Sequence, residues 1–126
     1  MIKSSIIRAK LSRSRVTFVK TLFEIKDIKK HNFDDLNLDE NEEVIALYEI
    51  DNYRWVLTNI NFFIPTSQIK IKLSDLVKVD FDSVKENIEI KKTNTELTLH
   101  TKERVYKVFF EEGTWHVFYN LFIFII

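Results

Sequence analysis

The sequence predicts a mainly β, α+β domain in which about seven antiparallel strands bend into a barrel or sandwich, with one helix before them and one after. Three observations carry this reading. From residue 44 onward, apolar residues recur with period two in short runs, the pattern of strands with one wet face. The links between those runs are too short for a crossover helix, so neighbouring strands must be antiparallel. A chain of 126 residues suits one core and buries roughly two-thirds of its extended surface without disulfides or metals.

Residues 15–31 read as a helix. Val16, Val19, Leu22 and Phe23 fall at three- and four-residue spacings, and Phe18, Ile25 and Ile28 widen the stripe. Lys20, Lys26, Asp27, Lys29 and Lys30 fill the other side, and Ser12 or Ser14 would cap the start. A polar, acidic connection over residues 31–43 follows, with Phe33, Leu36 and Leu38 as anchors. Residues 44–50 form the first strand, ended by the turn formers Asp51 and Asn52, and residues 53–58 form the second. Asn59, Ile60 and Asn61 suit a tight turn because asparagine tolerates the left-handed region.

Phe62, Phe63 and Ile64 continue the sheet until Pro65 stops it. Ile69, Ile71 and Leu73 then alternate with Lys70 and Lys72, and Val77, Val79 and Phe81 with Lys78, Asp80 and Asp82. Ile88 and Ile90 alternate with Glu89 and Lys91, Leu97 and Leu99 with Thr98 and His100, and residues 105–110 make the last strand. Ten of the twelve residues 115–126 are apolar. Their β-branched and aromatic content favours a strand, but Thr114 as a cap and the preceding Glu111 and Glu112 favour a helix with Trp115, Phe118, Phe122 and Ile125 on one face.

Composition narrows the function. Lys plus Arg and Asp plus Glu both total 19, so the formal charge is zero and nucleic acid is not an expected partner. The absence of cysteine removes thiol catalysis, cysteine-based zinc sites and iron–sulfur clusters. A single glycine, Gly113, excludes a Walker loop and a dinucleotide fingerprint. The zero charge hides an asymmetry: residues 1–30 carry nine bases against two acids, whereas residues 31–51 carry eight acids and no Lys or Arg. Residues 1–23 hold six bases, four serines and no acid, a composition shared with transit peptides, but a globular pattern follows without a cleavage-like break. Ile6 and Ile7 are too short a run for a secretory signal, so the expected location is cytoplasmic.

Residues with catalytic potential are dispersed. His31, His100 and His116 share no metal-ligand spacing, with His100 expected on an exposed sheet face and His116 partly buried against a backbone group. Ser67 and Ser74 sit in turns without a histidine nearby in sequence. Asp39, Glu40, Glu42 and Glu43 lack the spacing of a calcium loop and read as a solvated lead-in. Tyr53, Trp55, Trp115 and Tyr119 read as core rather than as a groove. No catalytic residue, metal or cofactor is expected, and the chain is read as not an enzyme.

Residues 39–126 resemble the bacterial pleckstrin-homology-like and GRAM-like domains. An acidic lead-in enters a first strand at Glu42, Glu43, Val44, Ile45 and Ala46, and a bulky residue precedes Leu-Thr-Asn in the second, at Trp55 and then Leu57, Thr58 and Asn59. An apolar–Ser–acidic–apolar step at Leu73, Ser74, Asp75 and Leu76 leads into the next strand, and an aromatic-rich helix closes the pattern. The resemblance implies a bent barrel of about seven strands plugged by that helix, with the N-terminal helix as an addition. Its lipid-binding members cluster Lys and Arg between their first two strands, where this chain has one arginine, Arg54, beside Asp51.

The expectation is a single domain over residues 1–126, divided into a basic N-terminal helix with an acidic connection (1–38) and a pleckstrin-homology-like barrel with its terminal helix (39–126). It acts as a non-catalytic binding or adaptor module through protein–protein contacts; the alternative is a peripheral module on an anionic membrane. Candidate partner or lipid contacts are Arg8, Lys10, Arg13, Arg15 and Lys20. Twelve helical residues span about 18 Å, too short to cross a bilayer. Leu121, Ile123, Phe124 and Ile126 are more apolar surface than one sheet can cover, and Leu121, Phe124 and Ile126 are candidates for self-association as a homodimer.

Overall fold

The computed structural model describes residues 3–81 and 95–126. Within them the order is α1 (Ser4–Arg13), β1 (Thr21–Leu22), α2 (Ile25–Ile28), β2 (Val44–Ile50), β3 (Tyr53–Thr58), β4 (Asn61–Ile64), β5 (Ile69–Lys72), β6 (Leu76–Asp80), β7 (Glu96–Thr101), β8 (Val105–Phe109) and α3 (Trp115–Ile125). The fold is α+β. Strands β1 to β5 form one antiparallel sheet in chain order, and β6 to β8 form a second. A 3-10 turn over Leu73–Asp75 carries the chain between the sheets, its first N–H donating to the Ile60 carbonyl at 2.9 Å. The strand expected at Ile88 and Ile90 lies outside the described residues.

One core joins both sheets and both long helices. Trp55 is its centre: fully buried, it lies 5.3 Å from Phe62, 5.4 Å from Phe110 and 5.1 Å from Phe118 between ring centroids. Its indole N–H donates to the Phe109 carbonyl at 3.1 Å, and the Phe109 N–H donates to the Tyr53 hydroxyl at 3.0 Å, so side chains of β3 tie down the backbone of β8. A smaller cluster of Ile28, Leu36, Val44, Leu47, Val56 and Phe63 covers the other face of the five-stranded sheet. A register shift between Val44 and Ala46 sends Ile45 and Ala46 together to the main core, and β2 is buried over five consecutive residues because Val44 and Leu47 are covered on the other face.

The N-terminal region differs from its sequence reading. Helix α1 ends at Arg13, and Arg15 takes a left-handed φ of 61° that turns the chain away. Residues 15–31 are not one helix; they strap the sheet, with Thr21 and Leu22 pairing with Tyr48 and Leu47. The apolar spacing that suggested a helix arises because the residues serve two cores. Val16, Phe18 and Phe23 pack on the main core, whereas Leu22 and Ile28 join the outer cluster.

Two carboxylates hold the irregular segments. Glu111 accepts the backbone N–H groups of Val19 (2.7 Å), Lys20 (2.8 Å) and Thr21 (2.8 Å) and the Thr21 hydroxyl (2.9 Å). Burial pushes its carboxyl up, but these donors outweigh burial and hold it below its usual range. Glu42, expected in solvent, is buried; it accepts the Thr58 hydroxyl, the Asn61 side-chain amide at 2.9 Å and the Asp39 N–H at 3.1 Å. Thr58 in turn accepts the N–H groups of Ile60 (3.1 Å) and Asn61 (2.8 Å). That hydroxyl makes the turn, and neither asparagine needs a positive φ. Thr58→Val keeps the shape and orphans these partners, so urea unfolding should show a loss of about 1–3 kcal/mol; an unchanged midpoint would show that water replaces the hydroxyl.

Candidate functional site

Helices α1 and α3 pack side by side and expose one composite face. In α1, Ile7 and Leu11 are buried at a spacing of four, which leaves Ile6, Lys10 and Arg13 on the outer stripe. The Ser14 hydroxyl closes the helix by donating to the Leu11 carbonyl at 2.7 Å, and the last-turn cations suit the helix dipole. In α3, Trp115, Val117, Phe118, Leu121 and Phe122 face inward. His116, Asn120, Ile123 and Phe124 therefore share the outer stripe, exposed in every case. Thr114 stands at the start of α3 as expected, but its hydroxyl donates back to the Glu111 carbonyl at 2.7 Å and leaves the helix N–H groups uncapped by a side chain.

This face is apolar at one end and cationic at the other. Ile6, Ile123, Phe124 and Ile126 are each 42–50% exposed. The Lys10 ammonium lies 4.1 Å from the centroid of the Phe124 ring, where the two ends meet. Beyond it a cleft of about 290 Å³ runs between the helices, with Lys10, Arg13, His116 and Asn120 at its rim and Val117 and Leu121 among its lining. Among the described residues no carboxylate pairs with Lys10 or Arg13; the ion pairs of the cations fall on Arg8, Lys30, Arg54, Lys78 and His100.

The structure divides the expected contact residues. Lys10 and Arg13 come together on this face. Arg8 turns toward β2, with Nη1 at 3.4 Å from Glu43 and Nη2 at 3.3 Å from the Val44 carbonyl, while its Nε is buried without a partner among the described residues. Arg15 stands at the left-handed turn, and the Lys20 N–H belongs to the Glu111 clamp. Of the self-association candidates, Phe124 and Ile126 are about half exposed, but Leu121 is 2% exposed and sits in the core with Ile7 and Leu11. Leu121 is a packing residue because α1 supplies the cover that the sheet alone could not. His116 is exposed at the cleft rim rather than partly buried. Ile6 and Asn120 carry no sequence signal of a contact, although the spacing of 116, 120, 123 and 124 places Asn120 on one stripe with Ile123 and Phe124 once α3 is a helix.

Other polar groupings are structural. Asp80 lies 2.8 Å from His100 Nε2 and 3.3 Å from the Lys78 ammonium; burial raises its carboxyl, and these two partners outweigh burial and hold it below the usual range. The β2–β3 hairpin opens on a cleft lined by Asp35, Glu49, Asp51 and Arg54, with Arg54 paired to Asp35 at 2.8 Å. This surface repels anions. Among the described residues no group of three His, Asp or Glu is placed to hold a metal ion, and no helix is long and apolar enough to cross a membrane. No protein-family model, no curated protein and no solved structure matches the chain, which leaves the chemistry of the α1–α3 face itself as the basis for a functional reading.

Proposed function

We propose that the chain is a non-catalytic binding module of the pleckstrin-homology-like type that acts through contacts with another protein. The observation that carries this reading is the α1–α3 face, where four half-exposed apolar side chains adjoin two cations without a carboxylate partner among the described residues. The barrel reading is supported by the chain order: a meander from β2 to β5, a single turn, a second sheet from β6 to β8, then a helix packed into the shared core. Acidic lining at the β2–β3 hairpin supports contact elsewhere than at the loop that holds lipid phosphates in the resembling domains.

The test is co-purification from the native host with wild type and with Ile123→Asp/Phe124→Asp. The expected result is a stoichiometric partner retained by wild type, lost by the variant and rebound when purified separately. An identical set of proteins on both columns would end the reading.

A peripheral-membrane role is the second reading, favoured by Lys10 and Arg13 of α1, with Lys3 just before it, lying beside Phe124 of α3 and Ile126 just after it. It requires pelleting with anionic vesicles at low salt that weakens at moderate salt, and no pelleting at low salt ends it. Homodimer formation requires light-scattering mass to rise with concentration; a strict monomer at high concentration removes it.

A further inference from the structure

We infer that the α1–α3 face docks an acidic, amphipathic segment of a partner protein, with a glutamate or aspartate of that segment seated in the cleft between the helices. The inference rests on the protein-contact reading above and specifies the chemistry of the partner. A carboxylate in the cleft meets Arg13 and Lys10 from one helix and Asn120 and His116 from the other, while its methylene stem lies against Val117 and Leu121. The volume of about 290 Å³ suits a side chain rather than a whole helix or strand. Apolar residues of the same segment then cover Ile6, Ile123, Phe124 and Ile126. Neither α1 nor α3 contains an acidic residue, so nothing on these helices competes for the cations.

Charge complementarity separates this occupant from the alternatives. A second copy docking face to face gathers Lys10 and Arg13 of both copies in one interface, with no acid on either helix to relieve them. An anionic bilayer gains about 1 kcal/mol from each cation near its surface. Lys3, Lys10 and Arg13 together therefore supply about 3 kcal/mol, to which insertion of the apolar residues adds, but a flat bilayer leaves the cleft between the helices unfilled. A protein segment adds directed hydrogen bonds in the cleft and a fitted apolar contact beside it.

The experiment is selection of short random peptides displayed on phage against the intact protein, followed by solution binding of the enriched peptides. Wild type is compared with Lys10→Glu/Arg13→Glu, Lys10→Gln/Arg13→Gln and Phe124→Ser, each checked for unchanged circular dichroism. The expected result is enrichment of peptides with acidic residues beside apolar ones, bound about tenfold or more weakly by the charge variants and by Phe124→Ser. Peptides that are not acidic, or that bind all three variants like wild type, overturn the site while leaving a protein-binding module in place. Failure to enrich any peptide overturns the docked segment, and the protein-contact reading falls with it when co-purification also returns no partner. Anionic vesicles that pellet wild type but not the Lys10→Glu/Arg13→Glu variant, with no peptide enriched, assign the face to lipid. Concentration-dependent oligomers abolished by that variant assign it to a second copy.

Discussion

Trp55→Ala should cost the domain about 4–6 kcal/mol of stability. The side chain is fully buried and contacts aromatic rings from β4, from α3 and from Phe110 just after β8, so its loss opens a cavity that no single element can collapse to fill. Large-to-small substitution of a core aromatic costs about 3–5 kcal/mol. The Phe109 carbonyl also loses its indole donor, which adds on the order of 1 kcal/mol. Against a total of about 5–15 kcal/mol, that is a third or more of the stability for any total up to about 12 kcal/mol. Trp55→Phe keeps most of the ring and loses the donor, so it should retain the fold at a cost nearer 1–2 kcal/mol. Urea unfolding followed by far-ultraviolet circular dichroism measures both. A cost below about 2 kcal/mol for the alanine variant would mean that the sheets and helices do not share one core.

Glu111→Ala should detach the N-terminal strap. Three backbone N–H groups and one hydroxyl converge on this carboxylate, and β1 contributes only two residues of sheet pairing to hold the segment otherwise. Each orphaned buried donor costs about 1–3 kcal/mol. Freed residues can reach water, so the net loss should settle at about 2–4 kcal/mol, with amide exchange at Val19, Lys20 and Thr21 rising sharply while β7 stays protected. Equal acceleration everywhere would show a global rather than a local role.

The same site sets a pH dependence. Because its donors hold the Glu111 carboxyl below its unfolded value of about 4.3, its stabilising contribution is complete above that pH and is lost as pH falls through the folded value. Asp80 acts with the same sign. Glu111→Gln should therefore flatten, without abolishing, the fall in stability between about pH 5 and pH 2. An acid limb identical to wild type would refute the assignment.

The described strands from β2 onward were legible because each has one wet face or a sharp turn at its end, as with Asp51 at a φ of 51° and Pro65 after β4. Helix α3 was legible from Thr114, even though that hydroxyl bonds backwards. The strap was not. Its apolar residues follow a helical period while Val16, Phe18 and Phe23 face one cluster, Leu22 and Ile28 another, and Val19 and Ile25 the solvent, which periodicity cannot tell from a single face. Helix α1 was passed over because the basic, serine-rich composition of residues 3–15 obscured Ile7 and Leu11, a single buried pair. Glu42 shows the other limit: a carboxylate among acids reads as solvated unless its partners are known, and Thr58 and Asn61 reach it from 16 and 19 residues away. The candidate face was half visible, since Lys10, Arg13, Phe124 and Ile126 were identified as residues but not as neighbours.

The Glu111 clamp also bears on how the polypeptide emerges from the ribosome. Thr21 waits for an acceptor made 90 residues later. At about 5–20 residues per second this is an interval of roughly 5–18 s. During that time the early chain has its anchoring amides but nothing to anchor them to, and nascent-chain chaperones have their longest access to this stretch.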